Sequence, residues 1–203
     1  PADFILWKPS NNEQPGWNSP WGYGRPGWHT ECSAMSEKTL GLPFDIHGGG
    51  RDLTFPHHEN EIAQSCCSSA GTSDPKSYVN YWMHNGFVTV NGEKMSKSLG
   101  NISLVKDLTE NNHGEVIRLS LLSSHYRQAL DWNDKIIHQA KKLLDKLYKV
   151  LSDLKDIKPS EINESSMGFI SPLLDDLNTP GLLANLNKMI KDFKNISDKD
   201  LPE

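Results

Sequence analysis

Apolar positions along this chain follow two rhythms. Between Asn133 and Pro159 they recur at alternating intervals of four and three, through Ile136, Ala140, Leu143, Leu147, Val150, Leu154 and Ile157. That spacing draws one stripe along a long amphipathic helix, capped by Asn133 or Asp131 and ended by Pro159. Such heptads suit a coiled-coil dimer or a bundle within the chain, and the strand-rich neighbouring region favours the bundle. Shorter helices are expected over Glu115–Ser123, carrying Val116, Leu119 and Leu122, and over Gly181–Lys194, carrying Leu183, Leu186, Ile190 and Phe193. Residues 158–170 form a polar linker between them.

The first hundred residues keep a shorter rhythm. Phe44-Asp45-Ile46-His47 is a short strand that runs straight into Gly48-Gly49-Gly50. Tyr81-Trp82-Met83-His84 and Phe87-Val88-Thr89-Val90 are strand, interrupted at Asn85-Gly86, and Asn91-Gly92 makes the next turn. Residues 44–47 and 80–90 are expected in one sheet. Between them Pro56, which lacks a backbone donor, suits the first turn of a helix running to about Ser68. Another helix follows Pro26-Gly27 and is closed by Gly41. Residues 9–27, rich in proline and glycine with Trp17 and Trp21 interleaved, read as an ordered loop pinned by aromatics. Residues 69–77 read as a surface insertion.

With 36% hydrophobic and 23% charged residues in 203, the composition is that of an ordinary soluble globular protein with a real core. A net charge of −5 excludes a global basic field, so any RNA contact has to come from a local patch. Cys32, Cys66 and Cys67 make no disulfide framework, which points to a reducing, cytoplasmic setting. No apolar run reaches the roughly 20 residues of a membrane span. The chain opens on Pro1 and soon enters Phe4-Ile5-Leu6-Trp7, so it is expected to begin inside a larger protein.

Candidate chemistry gathers at three places. On the helix after Pro56, His57 and Glu61 are four residues apart and share a stripe; His58 and Glu61, three apart, would serve as well. Imidazole and carboxylate on adjacent turns are ligand types that zinc accepts, although a solvated helix face would also explain them. Ala63 and Cys66 fall on the opposite side, available to a core. A strand ending in glycines lets a ligand approach the backbone. The third place is Glu93-Lys94-Met95-Ser96-Lys97-Ser98-Leu99-Gly100-Asn101. Two lysines and nearby hydroxyls in a small loop suit polyphosphate, where charge builds during nucleotidyl transfer.

Lys94-Met95-Ser96-Lys97-Ser98 matches, letter for letter, the second signature of class I aminoacyl-tRNA synthetases. With the stretches RPGWHTECSAM, FDIHGGGRDLTFPHHENEIAQ and YWMHNGFVTVNGEKMSKSLGN in that order, residues 1–132 resemble the cysteinyl-tRNA synthetases, and LLDDLNTPGLL extends the likeness. The resemblance implies an α/β fold, the second half of a doubly wound, parallel, Rossmann-like sheet followed by an all-helical bundle. It implies a catalytic portion over 1–103, a connecting helical segment over 104–132, and a tRNA-binding helical region over 133–203.

For the chemistry, the resemblance implies one zinc ion held by Cys32, His57 and Glu61, with His58 a neighbour, and Trp28 as a wall beside the substrate L-cysteine. It implies ATP, with Mg2+, against Gly49, Gly50, Asp52, Gly86, Val88 and Ser96, and Lys97 assisted by Lys94 as catalytic groups stabilising departing pyrophosphate. Zinc binds a thiolate far better than a hydroxyl, so an editing site would be unnecessary. Cys66 and Cys67 lie outside this pattern and are expected to pack as small hydrophobes. The implied activity is that of a cysteine–tRNA ligase acting on tRNA(Cys), a monomer with no membrane partner. The family's His-Ile-Gly-His signature and fourth zinc ligand are absent from the sequence, so this stretch alone is expected to be inactive. Two alternatives are a ligase passing cysteine to an amino sugar, and a non-catalytic, zinc-ordered interaction module. The Asp175–Pro180 motif and the heptad helix favour tRNA.

Overall fold

The computed structural model describes residues 4–96, 98–158 and 167–200. The chain divides into two compact units at Asn85–Gly86. In the first, β1 (Trp7–Pro9) and β2 (Gly24–Pro26) form an antiparallel pair around the proline-rich loop. That loop is held less by its aromatics than expected. Trp17 and Trp21 are exposed, whereas the Arg25 guanidinium donates to Ser10 Oγ at 2.8 Å and Gln14 Oε1 at 3.0 Å. Helix α1 (Trp28–Leu40) follows and stops at Gly41, whose φ of 77° closes it without a Cβ penalty.

Strand β3 (Phe44–Gly50) lies parallel to β4 (Val79–Asn85), in register from Phe44 opposite Val79 to Gly50 opposite Asn85. The crossover between them is helical, as a parallel connection requires. Phe55 is extended, at φ −135° and ψ 134°, as expected before a proline, so the helical run begins at Pro56. Its regular part is α2 (Glu59–Ser65), followed by a π-helical turn over Cys66–Ala70. Phe44, Cys66, Tyr78 and Val79 make the core, with Leu42, Ile62 and Trp82 packed against it. Two expectations fail here: Ala63 and Cys67 are exposed. Cys66 lies on the inward side with Ser65, and Cys67, about 100° further round, falls outside it. The stripe turned inward carries Glu61 and Ser65.

The second unit holds a separate sheet of β5 (Val88–Val90), β6 (Glu93–Lys94) and β7 (Leu130–Trp132), in the order β6-β5-β7. Residues 79–85 join β3 as expected, but residues 88–90 do not. The Gly86 N–H donates to Tyr126 O at 2.7 Å and the Leu130 N–H to Phe87 O at 2.9 Å, which turns the chain toward β7 instead. Gly86 has room for no side chain, since a Cβ would lie 2.1 Å from Gln128 O. The pairing of β5 with β7 is parallel, as β3 with β4 is, so the α/β class expected from the sequence is what forms. Asn91 and Gly92, at φ 52° and 80°, make the tight turn between β5 and β6.

Helices α3 (Val105–Asn111) and α4 (Gly114–Leu122) precede β7, so the stretch 104–132 returns to the sheet before the long helix begins. Helix α5 (Asp134–Asp153) is capped by Asn133, whose Oδ1 accepts from the Ile136 N–H at 3.0 Å. It ends at Leu154, short of Pro159, which with residues 160–166 lies outside the described residues. Ile117, Leu130 and Trp132 form the core, joined by Val90, Leu108, Ile136 and Ile137. The heptad stripe buries Ala140 and Val150, and α5 packs on α4 and on α6 (Thr179–Asp200), within the chain as the bundle expectation required. Ahead of α6, Asp176 and Leu177 adopt φ of 49° and 54°. Arg127 and Tyr126 grip the Asp176 carboxylate, the phenol at 2.6 Å. Among the described residues no helix is long and apolar enough to cross a membrane.

Replacing Asn133 by Ala removes the α5 cap and should lower stability by about 1 kcal/mol, whereas Asn133→Ser should retain most of it. Urea midpoints of the two variants against the unaltered protein check this.

Candidate functional site

Glu61 is the centre of the first unit's polar interior, with no solvent exposure. Its position on α2 aims it toward the middle of β3, where His47 Nε2 lies 3.0 Å from Oε2. The Tyr78 hydroxyl donates to the same oxygen at 3.2 Å. On the other oxygen, His57 Nε2 approaches to 2.7 Å, yet Oε1 receives no hydrogen bond of acceptable geometry. The other ring nitrogen of His57, Nδ1, meets His29 Nδ1 at 2.6 Å. His58 Nδ1 pairs with His84 Nε2 at 2.8 Å.

These contacts set the charge states. Burial pushes the Glu61 carboxyl up, but the hydrogen bond from His47 and the nearby imidazoles of His47, His57 and His58 outweigh it and leave it below the ordinary range. Burial drives His58 down to about 4 despite the attraction of Glu61, and lowers His57 too. Cys32 is pushed up to about 11, by burial first and by the Glu61 charge next. The interior therefore holds one carboxylate beside two imidazoles, His57 and His58, that burial pushes toward the neutral form.

Of the residues singled out from sequence, Cys32, His57 and Glu61 come together: one ligand atom from each lies within 4.8 Å of the others. His47, His58 and Glu61 make a second such group, sharing the carboxylate. Trp28 stacks on His57, with ring centroids 4.0 Å apart and planes at 21°, and at 56% exposure it lies at the surface and not in the core. Gly49 passes under the His58 ring, where a Cβ would stand 2.8 Å from Cε1. Gly50 ends β3, and Asp52 lies exposed in the short turn after it.

The remaining candidates belong to the second unit. Gly86 and Val88 lie at the start of β5, and Lys94 ends β6 with its ammonium 5.9 Å from the centre of the Phe87 ring. The Ser96 N–H donates to Asn101 Oδ1 at 2.8 Å, while Asn101 Nδ2 donates to Lys94 O at 3.2 Å, so Asn101 closes the base of the loop. Lys97 lies outside the described residues.

Sequence reasoning passed over His29, His47, His84 and Tyr78. A signal existed for two of them: His47 and His84 sit beside apolar residues in strands, Ile46 and Trp82-Met83, where a polar group turned inward needs a partner. Tyr78 gives no such sign, because a buried phenol and a core phenylalanine occupy the same pattern.

Residues 1–142 match the family model described as the tRNA synthetases class I (C) catalytic domain. A cysteine–tRNA ligase of Parvibaculum lavamentivorans is 57% identical over 192 residues, covering 94% of this chain and 40% of the relative. The chain thus spans about two-fifths of the length of the curated relatives it matches. Among solved structures, Agrobacterium radiobacter LeuRS in a ternary complex with tRNA and LeuAMS is similar over 91% of this chain and 29% of that one, with a TM-score of 0.66 and 14% identity. Mycobacterium tuberculosis methionyl-tRNA synthetase, in complex with methionyl-adenylate, is similar over 75% of this chain and 33% of that one, with a TM-score of 0.51 and 23% identity. At those identities the two structures speak for the fold, and it is the family model, matched along most of the sequence, that places this chain in the family of class I (C) tRNA synthetase catalytic domains.

Proposed function

We propose that this chain is the cysteine-recognising and lysine-loop portion of a cysteine–tRNA ligase, which activates L-cysteine with ATP and transfers it to tRNA(Cys). The observation that carries the proposal is the convergence of Cys32, His57 and Glu61 beside an exposed tryptophan. Sulfur, imidazole nitrogen and carboxylate oxygen form a donor set that zinc accepts. The donors also fit a cation locally. Glu61 Oε1 is a buried carboxylate oxygen without a hydrogen bond, and the second nitrogen of His57 is already held by His29, as in many metal-ligating histidines. His47 and His58 are engaged with Glu61 Oε2 and His84, which favours the Cys32 group over the other. Zinc bound there would supply an electrophile that takes the substrate's thiolate and leaves a hydroxyl unbound.

The chain's own residues divide the remaining work. Trp28 walls the space beside His57 and limits the substrate side chain. Gly49, Gly50 and Asp52, with Gly86, Val88 and Ser96, provide the ATP contacts, the backbone at the glycines and the carboxylate for ribose hydroxyls. Lys97, assisted by Lys94, neutralises the charge that grows on pyrophosphate as cysteine attacks the α-phosphate of Mg2+-bound ATP. A lysine acting there contributes mostly to the transition state.

Two variants of the complete ligase separate these roles. Cys32→Ser should lower bound zinc, measured by metal analysis, and weaken cysteine binding before any chemistry. Lys97→Ala should leave cysteine affinity unchanged and slow adenylate formation by ~10²–10³, read from pre-steady-state pyrophosphate release. A Lys97→Ala enzyme altered only in its KM for cysteine would sink the assignment of the loop. Acceptor assays with tRNA(Cys) and with amino sugars identify the second substrate.

A further inference from the structure

We propose that Asp131 is a positioning residue for Lys94, acting through the row of the sheet and the turn that carry this lysine. Only its kinetic consequence rests on the ligase function proposed above. Lys94, Thr89 and Asp131 are direct partners across β6, β5 and β7, so they stand in one row. Side chains of one row project from the same face. The Asp131 carboxylate accepts from three places in the chain. Oδ1 takes the Thr89 hydroxyl at 2.7 Å and the Gly92 N–H at 2.6 Å, and Oδ2 takes Asn133 Nδ2 at 2.8 Å.

Gly92 is the second residue of the left-handed turn two positions before Lys94, and the Asn91 N–H is held as well, by Trp132 O at 3.2 Å. The strand end that carries Lys94 is therefore fixed on one side by Asp131 and on the other by Asn101, which binds Lys94 O. Hydrogen bonds from Gly92, Thr89 and Asn133 hold the Asp131 carboxyl below its ordinary range, so it is ionised at neutral pH. An ionised carboxylate only accepts, and three donors satisfy it. An asparagine in its place would turn an NH2 group toward at least one donor and release that contact. A charge that stabilises a transition state acts through being held in place before the reaction, and small misplacements are expensive.

The test uses the complete ligase. Asp131→Asn should slow ATP–pyrophosphate exchange by ~10–100-fold while leaving the KM for cysteine unchanged. In a Lys94→Ala background the same change should have little further effect, because both act through one group. Amide hydrogen exchange at Gly92 should accelerate in Asp131→Asn. If Asp131→Asn does not fold, Asp131→Glu, which keeps the charge and displaces it by one methylene, takes its place with the same expectations. Unchanged Gly92 exchange, an unchanged rate, or a loss that multiplies in full with that of Lys94→Ala overturns the proposal. Absence of ATP–pyrophosphate exchange in the unaltered protein would overturn the ligase function instead, and Gly92 protection then decides for or against Asp131 by itself.

Discussion

A carboxylate removed entirely from water has to be compensated where it sits, and Glu61 imposes that condition on the whole first unit. No single partner meets it. A strand contributes His47, the kinked entry to α2 contributes His57 and His58, and the start of β4 brings up the Tyr78 phenol. Each of these groups needs room, which fixes features that look unrelated. Gly49 stays bare because the His58 ring lies against it, and Trp28 lies flat on His57 at the solvent boundary. The same charge holds the neighbouring Cys32 thiol in its protonated form, since the repulsion adds to the effect of burial. A cation among these donors would relieve both penalties together, by ionising the thiol and by screening the carboxylate.

Much of this was legible in the sequence, and the failures have a common cause. Period located α4 and α5, and glycine and proline punctuation located α1, the end of β3 and the Asn91–Gly92 turn, because local geometry and the inward face agreed there. It half failed on α2, where of the expected core pair Cys66 is buried and Ala63 exposed, and where Glu61 and Ser65 also face inward. A pattern that equates buried with apolar cannot find a helix whose interior side is polar. Spacing reached Glu61 with either His57 or His58, whereas Cys32 and the choice of His57 came from motif resemblance, since Cys32 comes from another helix at long sequence separation. The histidines that share Glu61 were missed for the same reason: convergence in space leaves no period. Asp131 was weighed as a cap for α5, and Asn133 performs that role; the carboxylate two residues earlier is turned to the other strand instead.

The second unit shows how a small sheet can carry a lysine-bearing segment at its surface. Its three strands are short, and their core of Ile117, Leu130 and Trp132 lies on the side toward α4 and α5. The lysine-bearing segment leaves from an exposed hairpin, where side-chain packing does little and hydrogen bonds to Asn101 and Asp131 do most of the ordering. Polar anchoring of this kind orders the strand end while leaving Lys94 exposed.

One feature of the first unit bears on how the protein behaves in a tube. Among the described residues β3 and β4 have only each other, and Ile46 and Tyr81 on them are 62% and 71% exposed. Each strand therefore presents, among the described residues, an outer edge beside apolar side chains, which is a template for an extended peptide that meets it. Handled as the residues described here, the protein will lose soluble material by strand-to-strand self-association as its concentration rises, and a segment able to lie along that edge will act as a solubiliser before it acts as anything else.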